Sequence, residues 1–356
     1  MLRPDVRAAP PYHFSARPQA IKLDQNESPY DLPENLKKEV AARLAAIPFH
    51  RYPEINAQTL RAKLAQRHDW PPAGVVVSGG SNILIQALVT AAGLGQSVLS
   101  VKPTFSVYAL QARLQGAQLI ERALGEDFSL PLDDLKLELA RSQGVFFLAN
   151  PAAPTGNIFS TDSLEALAKA SAEKWLFVID EAYHQFSSTD ALPLVRNHPH
   201  VVSLRTFSKA FGLGGVRLGY ALMQPSLAEQ VQKVIMPFSV SALQLAVGEV
   251  VLDAPDYVQD RVREALTERE RVFRALSGLS GVTPYPSRTN FILFRVPDAG
   301  ALYEGLLGYG VVVRRQDHVP GLANCLRVSV GTPPENDAFL AAMSDLVAPP
   351  LEVSRG

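Results

Sequence analysis

The chain has 356 residues, of which 47% are hydrophobic and 19% charged, with a net charge of −1 and one cysteine, Cys325. That length exceeds what one hydrophobic core usually serves, so one large domain and one smaller one are expected. The charge balance offers nothing to a polyanionic partner such as nucleic acid, and a lone cysteine excludes an internal disulfide and a cysteine-built metal cluster.

In chain order, the opening MLRPDVRAAPPYHF lacks the apolar stretch of a signal peptide. No run anywhere nears the ~18 apolar residues of a spanning helix. No membrane partner and a cytoplasmic location are therefore expected. Residues 1–50 read as an irregular arm with one helix near 32–46, joined to the smaller domain. From 51 to 250 short β-rich runs alternate with helical patterns: VVVS (75–78), SVLSV (97–101), VFFLA (145–149), WLFVID (175–180), VVSLRTF (201–207) and GYALM (219–223). Several are almost wholly apolar, as strands covered on both faces should be. The alternation predicts an α/β domain with a mainly parallel sheet flanked by helices. From 251 to 356 a long charged helix (254–278) precedes FILFRV (291–296), VVVRR (311–315), CLRVSVG (325–331) and a helix at 334–347, which predicts a smaller α+β domain.

Open α/β sheets bind ligands at the carboxyl ends of their strands, and four unusual segments fall there. In VSGGSNILIQAL a strand ends at two glycines, Gly79 and Gly80, and Ser81 or Asn82 is expected to cap the next helix. That helix start suits an anion such as phosphate, although a plain capped helix reads the same way. NPAAPTG (150–156) is a rigid loop after a buried strand, or a simple strand-to-helix turn. In VIDEAYHQF, Asp180 closes an apolar strand, where a carboxylate is costly unless something cationic meets it; a structural salt bridge to a local arginine is the plainer reading. Tyr183 can turn toward the same place, whereas Glu181 and His184 are expected to be solvated or to stand behind the site. In LRTFSKAFGLGGVRLGY (204–220), Lys209 lies among Thr206, Ser208, four glycines and Arg217. A lysine beside a second cation becomes a nucleophile toward carbonyls, and Arg217 also suits phosphate. Together the four segments describe a phosphorylated aldehyde whose ring nitrogen needs a carboxylate, which is pyridoxal 5′-phosphate.

With these residues in place the chain resembles the fold-type I pyridoxal-phosphate aminotransferases, and among them the histidinol-phosphate branch. The motifs are LDQNESPY (23–30), RYP (51–53), SGGSN (78–82), KPTFSVY (102–108), NPAAPTG, VIDEAY, TFSKAFGLGGVRLGY, SRTNFILF (287–294), VVVRR and CLRVSVGT (325–332). The resemblance implies that Lys209 forms the Schiff base and then moves the proton, Asp180 pairs with the pyridinium, and Tyr183 bonds the ring oxygen. It implies that Tyr108 stacks on the ring, that Ser208 and Arg217 bind the cofactor phosphate with the 80–82 helix start, and that Asn150 and Thr206 line the cofactor. Tyr52 is implied to reach that phosphate from a neighbouring subunit, making a homodimer with a shared site. Arg327 and Arg314 are implied to hold the carboxylate or phosphate of substrate, with Tyr12 and Asn26 at its border, and Arg315 is expected on the surface. The pattern departs at Ala153, where the family carries an asparagine that touches the ring oxygen; one hydrogen bond, worth about 1 kcal/mol, is lost there.

The implied reaction transfers an amino group from glutamate to imidazole-acetol phosphate, by two half-reactions on one site. A threonine-phosphate decarboxylase or an aromatic aminotransferase would use the same scaffold. A cofactor-sensing regulator would need a DNA-binding module, and only 22 residues precede LDQNESPY. GLGG at 212–215 lacks the strand–GxGxxG–helix context of a dinucleotide binder.

Overall fold

A computed structural model describes residues 2–8 and 20–347. Its strands are β1 (Ile21–Lys22), β2 (Val75–Ser78), β3 (Ser97–Lys102), β4 (Gln118–Ala123), β5 (Gly144–Ala149), β6 (Trp175–Asp180) and β7 (Val201–Thr206). They continue with β8 (Gly219–Leu222), β9 (Thr283–Pro284), β10 (Phe291–Arg295), β11 (Val311–Val312), β12 (Arg314–Arg315) and β13 (Cys325–Ser329).

Seven strands form one sheet in the order β2-β8-β7-β6-β5-β3-β4. All neighbours run parallel except β8, which is antiparallel to both β2 and β7. The apolar runs behave as strands covered twice. Phe146, Leu148, Phe177 and Ile179 join one hydrophobic cluster, whereas Val145, Phe147, Leu176 and Val178 join another on the opposite face. Side chains alternate across a strand, so each wholly apolar run feeds two cores. Phe146 and Phe177 are register partners, and their rings stack 4.7 Å apart.

A four-stranded antiparallel sheet, β12-β13-β10-β9, packs its own core of Val272, Leu276, Ile292, Phe294, Leu326 and Phe339 against the helices Pro255–Ser277 and Pro333–Val347. Leu23 belongs to this core as well. The run VVVRR, read as one strand, is two: Val311–Val312 pairs with β1, and Arg314–Arg315 pairs with β13. The helix Glu34–Ala45 packs against Ala242–Leu252, and Arg43 there meets Glu249 and Asp253.

Candidate active site

The carboxyl ends of β6 and β7 adjoin, so the loops that follow them face one another. Asp180, the last residue of β6, is buried. Its Oδ2 accepts from the Tyr108 hydroxyl at 2.6 Å and its Oδ1 from the Ala182 N–H at 3.1 Å. Burial pushes the carboxyl up to about 6; the Tyr108 and Ala182 hydrogen bonds oppose this, Glu181 adds to it, and Lys209 opposes it. The expected cation contact is therefore replaced, within hydrogen-bond reach, by two neutral donors.

Tyr108 does not offer its ring to a ligand. It is fully buried, and its ring lies 4.8 Å from Phe147 at an interplanar angle of 6°. The expected stacking role is corrected for this reason: the helix Val107–Gln115 turns Tyr108 into the core against β5. Phe105 stands edge-on to Tyr108 at 5.7 Å and remains 36% exposed, which makes it the open aromatic of KPTFSVY. The sequence signal for the difference was the helix boundary, since Phe105 precedes the first helical turn and Tyr108 lies within it.

Lys209 follows β7. Its Nζ donates to the Gln25 carbonyl at 3.0 Å and lies 5.7 Å from the centre of the Tyr183 ring. The Tyr183 hydroxyl accepts from Asn26 Nδ2 at 2.9 Å. Asn26 is buried at φ 54°, a left-handed conformation uncommon outside glycine. Three consecutive carbonyls of this segment are held by different side chains: Asp24 by Arg327 at 2.8 Å, Gln25 by Lys209, and Asn26 by Asn290 at 3.1 Å. An open recess of about 370 Å3 reaches Lys209 and Asn290 past Pro29, Tyr30, Arg261 and Glu264.

The glycine turn ahead of Ser81–Leu88 forms a cradle. Gly80, at φ 108°, occupies the cap position itself, so neither Ser81 nor Asn82 caps the helix as expected. A Cβ on Gly80 would stand 3.0 Å from the Arg217 guanidinium, and one on Gly219 would stand 2.3 Å from the Ser81 nitrogen. Arg217, at φ 61°, donates to Ser208 Oγ at 3.2 Å and to the Gly214 carbonyl at 3.0 Å. Gly80, the Ser81 helix start, Ser208 and Arg217 thus meet at one point, where the first-turn N–H groups lack helical partners. Thr206 is corrected: its Oγ1 accepts from Ser208 N–H at 3.0 Å and bonds the Leu218 carbonyl, so its hydroxyl shapes the loop.

Behind Asp180 lies a charged cluster that the sequence reading missed. Glu181 is buried, which agrees with the second of its two expected readings, a place behind the site. Arg205, also buried, donates to Glu181 Oε2 at 2.8 Å and 3.0 Å and to Asp190 Oδ1 at 2.6 Å. Ser203 and the Ala191 N–H complete the shell of Glu181. Arg205 also meets His68 Nδ1 at 3.2 Å, and His68 Nε2 meets the Tyr220 hydroxyl at 2.9 Å. Burial, then Arg205 and Arg67, bring His68 down to about 3. His184 is half-buried with its Nε2 enclosed, and burial first, then Arg205, holds it well below the usual histidine range.

Arg327 and Arg314 are direct cross-strand partners, so both side chains leave the same face of the smaller sheet. Arg327 lies 5.1 Å over the Phe291 ring, and Phe291 in turn meets Tyr183 edge-on at 5.2 Å. This chain of contacts links Arg327 to the Lys209 loop. Arg315 is exposed and pairs with Asp317, as expected of a surface residue. Asn150 does not turn its carbonyl to a ligand: its Oδ1 accepts from Phe159 N–H at 2.9 Å and fixes the loop that includes buried Ala153. Tyr52 is 82% exposed and stacks 4.8 Å from Phe238, away from Lys209's contacts. Tyr12 lies outside the described residues. Among the described residues no group of three or more histidine, cysteine or acidic residues could hold a metal ion, and no helix is long and apolar enough to cross a membrane.

A family model described as aminotransferase class I and II matches residues 18–343. The chain is 47% identical over 344 residues to a histidinol-phosphate aminotransferase of Deinococcus radiodurans, covering 96% of this chain and 95% of that protein. A histidinol-phosphate aminotransferase of Thermococcus kodakarensis is 40% identical, with 97% and 98% of the two chains covered. Among solved structures, the histidinol-phosphate aminotransferase of Sinorhizobium meliloti in complex with pyridoxal-5′-phosphate superposes with a TM-score of 0.88 at 25% identity, covering 97% of each chain.

Proposed function

The chain belongs to the class I and II aminotransferase family, and from that premise we propose that it uses pyridoxal 5′-phosphate to move an amino group from L-glutamate to imidazole-acetol phosphate, making L-histidinol phosphate for histidine biosynthesis. The 47% identity to a histidinol-phosphate aminotransferase supports this substrate. The single observation that carries the chemistry is the joint placement of a lysine amine and a buried carboxylate on the loops of adjacent strand ends.

Pyridoxal phosphate supplies an aldehyde with which amines condense and a ring that takes the electron pair left at a substrate α-carbon. The residues present fit it. Gly80 leaves room that a Cβ would fill beside Arg217, and Ser208 with the helix start adds donors for a phosphate. Asp180 is a carboxylate raised by burial and met by two neutral donors, so a protonated ring nitrogen satisfies it. Tyr183 lends its hydroxyl to the ring oxygen while Asn26 orients it. Phe105 covers a ring face. Lys209 would hold the cofactor through its amine and, once displaced by a donor amine, would serve as the base and then the acid for the proton of the substrate α-carbon.

Arg327 and Arg314 hold the donor's carboxylates in one half-reaction and the phosphate ester in the other, because a guanidinium fork suits both anions. Tyr52 stacks on Phe238, which shares a recess with Met236, and these exposed apolar side chains suit a second copy, across which Tyr52 reaches the partner's phosphate cradle. The working enzyme is then a homodimer in the cytoplasm. The chain divides into a cofactor-holding unit over 51–250 and a smaller unit over 251–356; the first 50 residues are divided, with Leu23 in the smaller unit's core and the helix Glu34–Ala45 against the larger. Ala153 leaves the ring oxygen to Tyr183.

The test is direct. Protein incubated with pyridoxal phosphate, reduced with borohydride and digested should carry the added mass on Lys209. Glutamate should bleach the visible band and release 2-oxoglutarate, and imidazole-acetol phosphate should restore it. Lys209→Ala should lose both the adduct and turnover. Turnover that survives in Lys209→Ala defeats the assignment, and carbon dioxide release from threonine phosphate would move it to a decarboxylase.

A further inference from the structure

We propose that Tyr108 is a positioning residue that acts through Asp180: its phenol holds the carboxylate anionic and aimed, and its ring takes no part in covering the cofactor. This rests on the cofactor reading above.

The geometry leaves the phenol one task. Tyr108 is fully buried, flat against Phe147 on β5 at 4.8 Å, in the cluster that includes Leu84, Ala112 and Val178. Its hydroxyl reaches Asp180 Oδ2 at 2.6 Å, the short distance of a donor to a carboxylate. The other oxygen is held by the Ala182 N–H. The titratable groups that act on Asp180 are few. Glu181, on the same loop, disfavours its charge; Lys209, after β7, favours it; Tyr183 lies close enough to act on Tyr108. Arg205 takes up the Glu181 carboxylate at 2.8 Å and so answers the neighbouring negative charge. Against burial, the Tyr108 hydrogen bond is the largest influence that keeps Asp180 ionised. A ring nitrogen gains an ion pair only from the anion. The phenol therefore sets the lowest pH at which the empty site is ready for the cofactor.

Tyr108→Phe tests this, since the ring and its packing on Phe147 stay. Cofactor-free protein is titrated with pyridoxal phosphate by absorbance between pH 5 and pH 9, alongside the wild type. Wild-type affinity should fall below a midpoint near the Asp180 value of about 6. In Tyr108→Phe the midpoint should rise by about one pH unit, giving roughly tenfold weaker binding on the acid side and near-equal binding at pH 9. In an Asp180→Asn background, which has no carboxyl to titrate, Tyr108→Phe should cause no such shift. An unmoved midpoint, a loss of affinity equal at every pH, or the same shift in the Asp180→Asn background overturns the proposal while leaving the cofactor reading intact. Wild-type protein that takes up no pyridoxal phosphate overturns both.

Discussion

The two sides of the β6–β7 strand ends carry the same kinds of residue and use them oppositely. In front, Asp180 meets a phenol, a backbone N–H and the field of Lys209. Behind, Glu181, the next residue, meets an arginine twice, a serine and a backbone N–H. The rear carboxylate is saturated by its own chain and has nothing left for a ligand. The front one is left short of a cation, so it costs stability and is ready to receive one. One peptide unit separates an acid paired with arginine from one met only by neutral donors.

Removing Arg205 tests that contrast most severely. Arg205→Met strands Glu181 without its cation in the interior and should destabilise the cofactor-free protein by about 3–5 kcal/mol in urea unfolding, while Arg205→Met with Glu181→Leu should recover much of the loss. An equal loss in both would mean that packing, not charge, is what Arg205 supplies. On the front side the sign reverses. Asp180 has a folded value of about 6 against 3.8 for the ordinary group, so the folded chain binds its proton more tightly than the unfolded one. Its burial then costs about 3 kcal/mol above pH 6, and the cost fades as pH falls toward 4. Asp180→Asn should therefore raise the melting temperature of the cofactor-free protein at pH 7, and the gain should vanish near pH 4. The rear cluster titrates the other way. His68 is lowered from 6.5 to about 3, so the unfolded chain binds its proton more tightly. Its contribution is whole above pH 6.5 and drains as pH falls, by about 2 kcal/mol at pH 5. His68→Gln should flatten that part of the stability profile, and an unchanged slope would remove His68 from the cluster's account.

Much of the large sheet was legible because a twice-covered strand is an uninterrupted apolar run. Edge strand β4 was not read, since only Ile120 of QLIERA is buried and charge follows it at a sheet edge. VVVRR hid a break, because β11 and β12 belong to different sheets and no glycine or proline marks the change at Val313. In the site, Ser208, Arg217 and the glycine turn meet, while the Lys209 amine turns to the Gln25 carbonyl. Arg205 was passed over because its acceptors, Glu181 and Asp190, come from 24 and 15 residues away. Tyr108 was misplaced because a motif gives residue type and not the direction in which a helix turns it. Thr206 and Asn150 show the same limit: each was read toward a ligand, and the Thr206 hydroxyl and the Asn150 amide oxygen are engaged by their own loops.

The segment 24–26 behaves as a short lever with a load at each carbonyl. Arg327 grips one end, Lys209 the middle and Asn290 the far end. Peptide planes are stiff, and neighbouring Cα atoms keep a fixed spacing of about 3.8 Å. The Arg327 guanidinium, the Lys209 amine and the Asn290 amide are thus spaced by one stretch of backbone, and their separations are set by its peptide geometry.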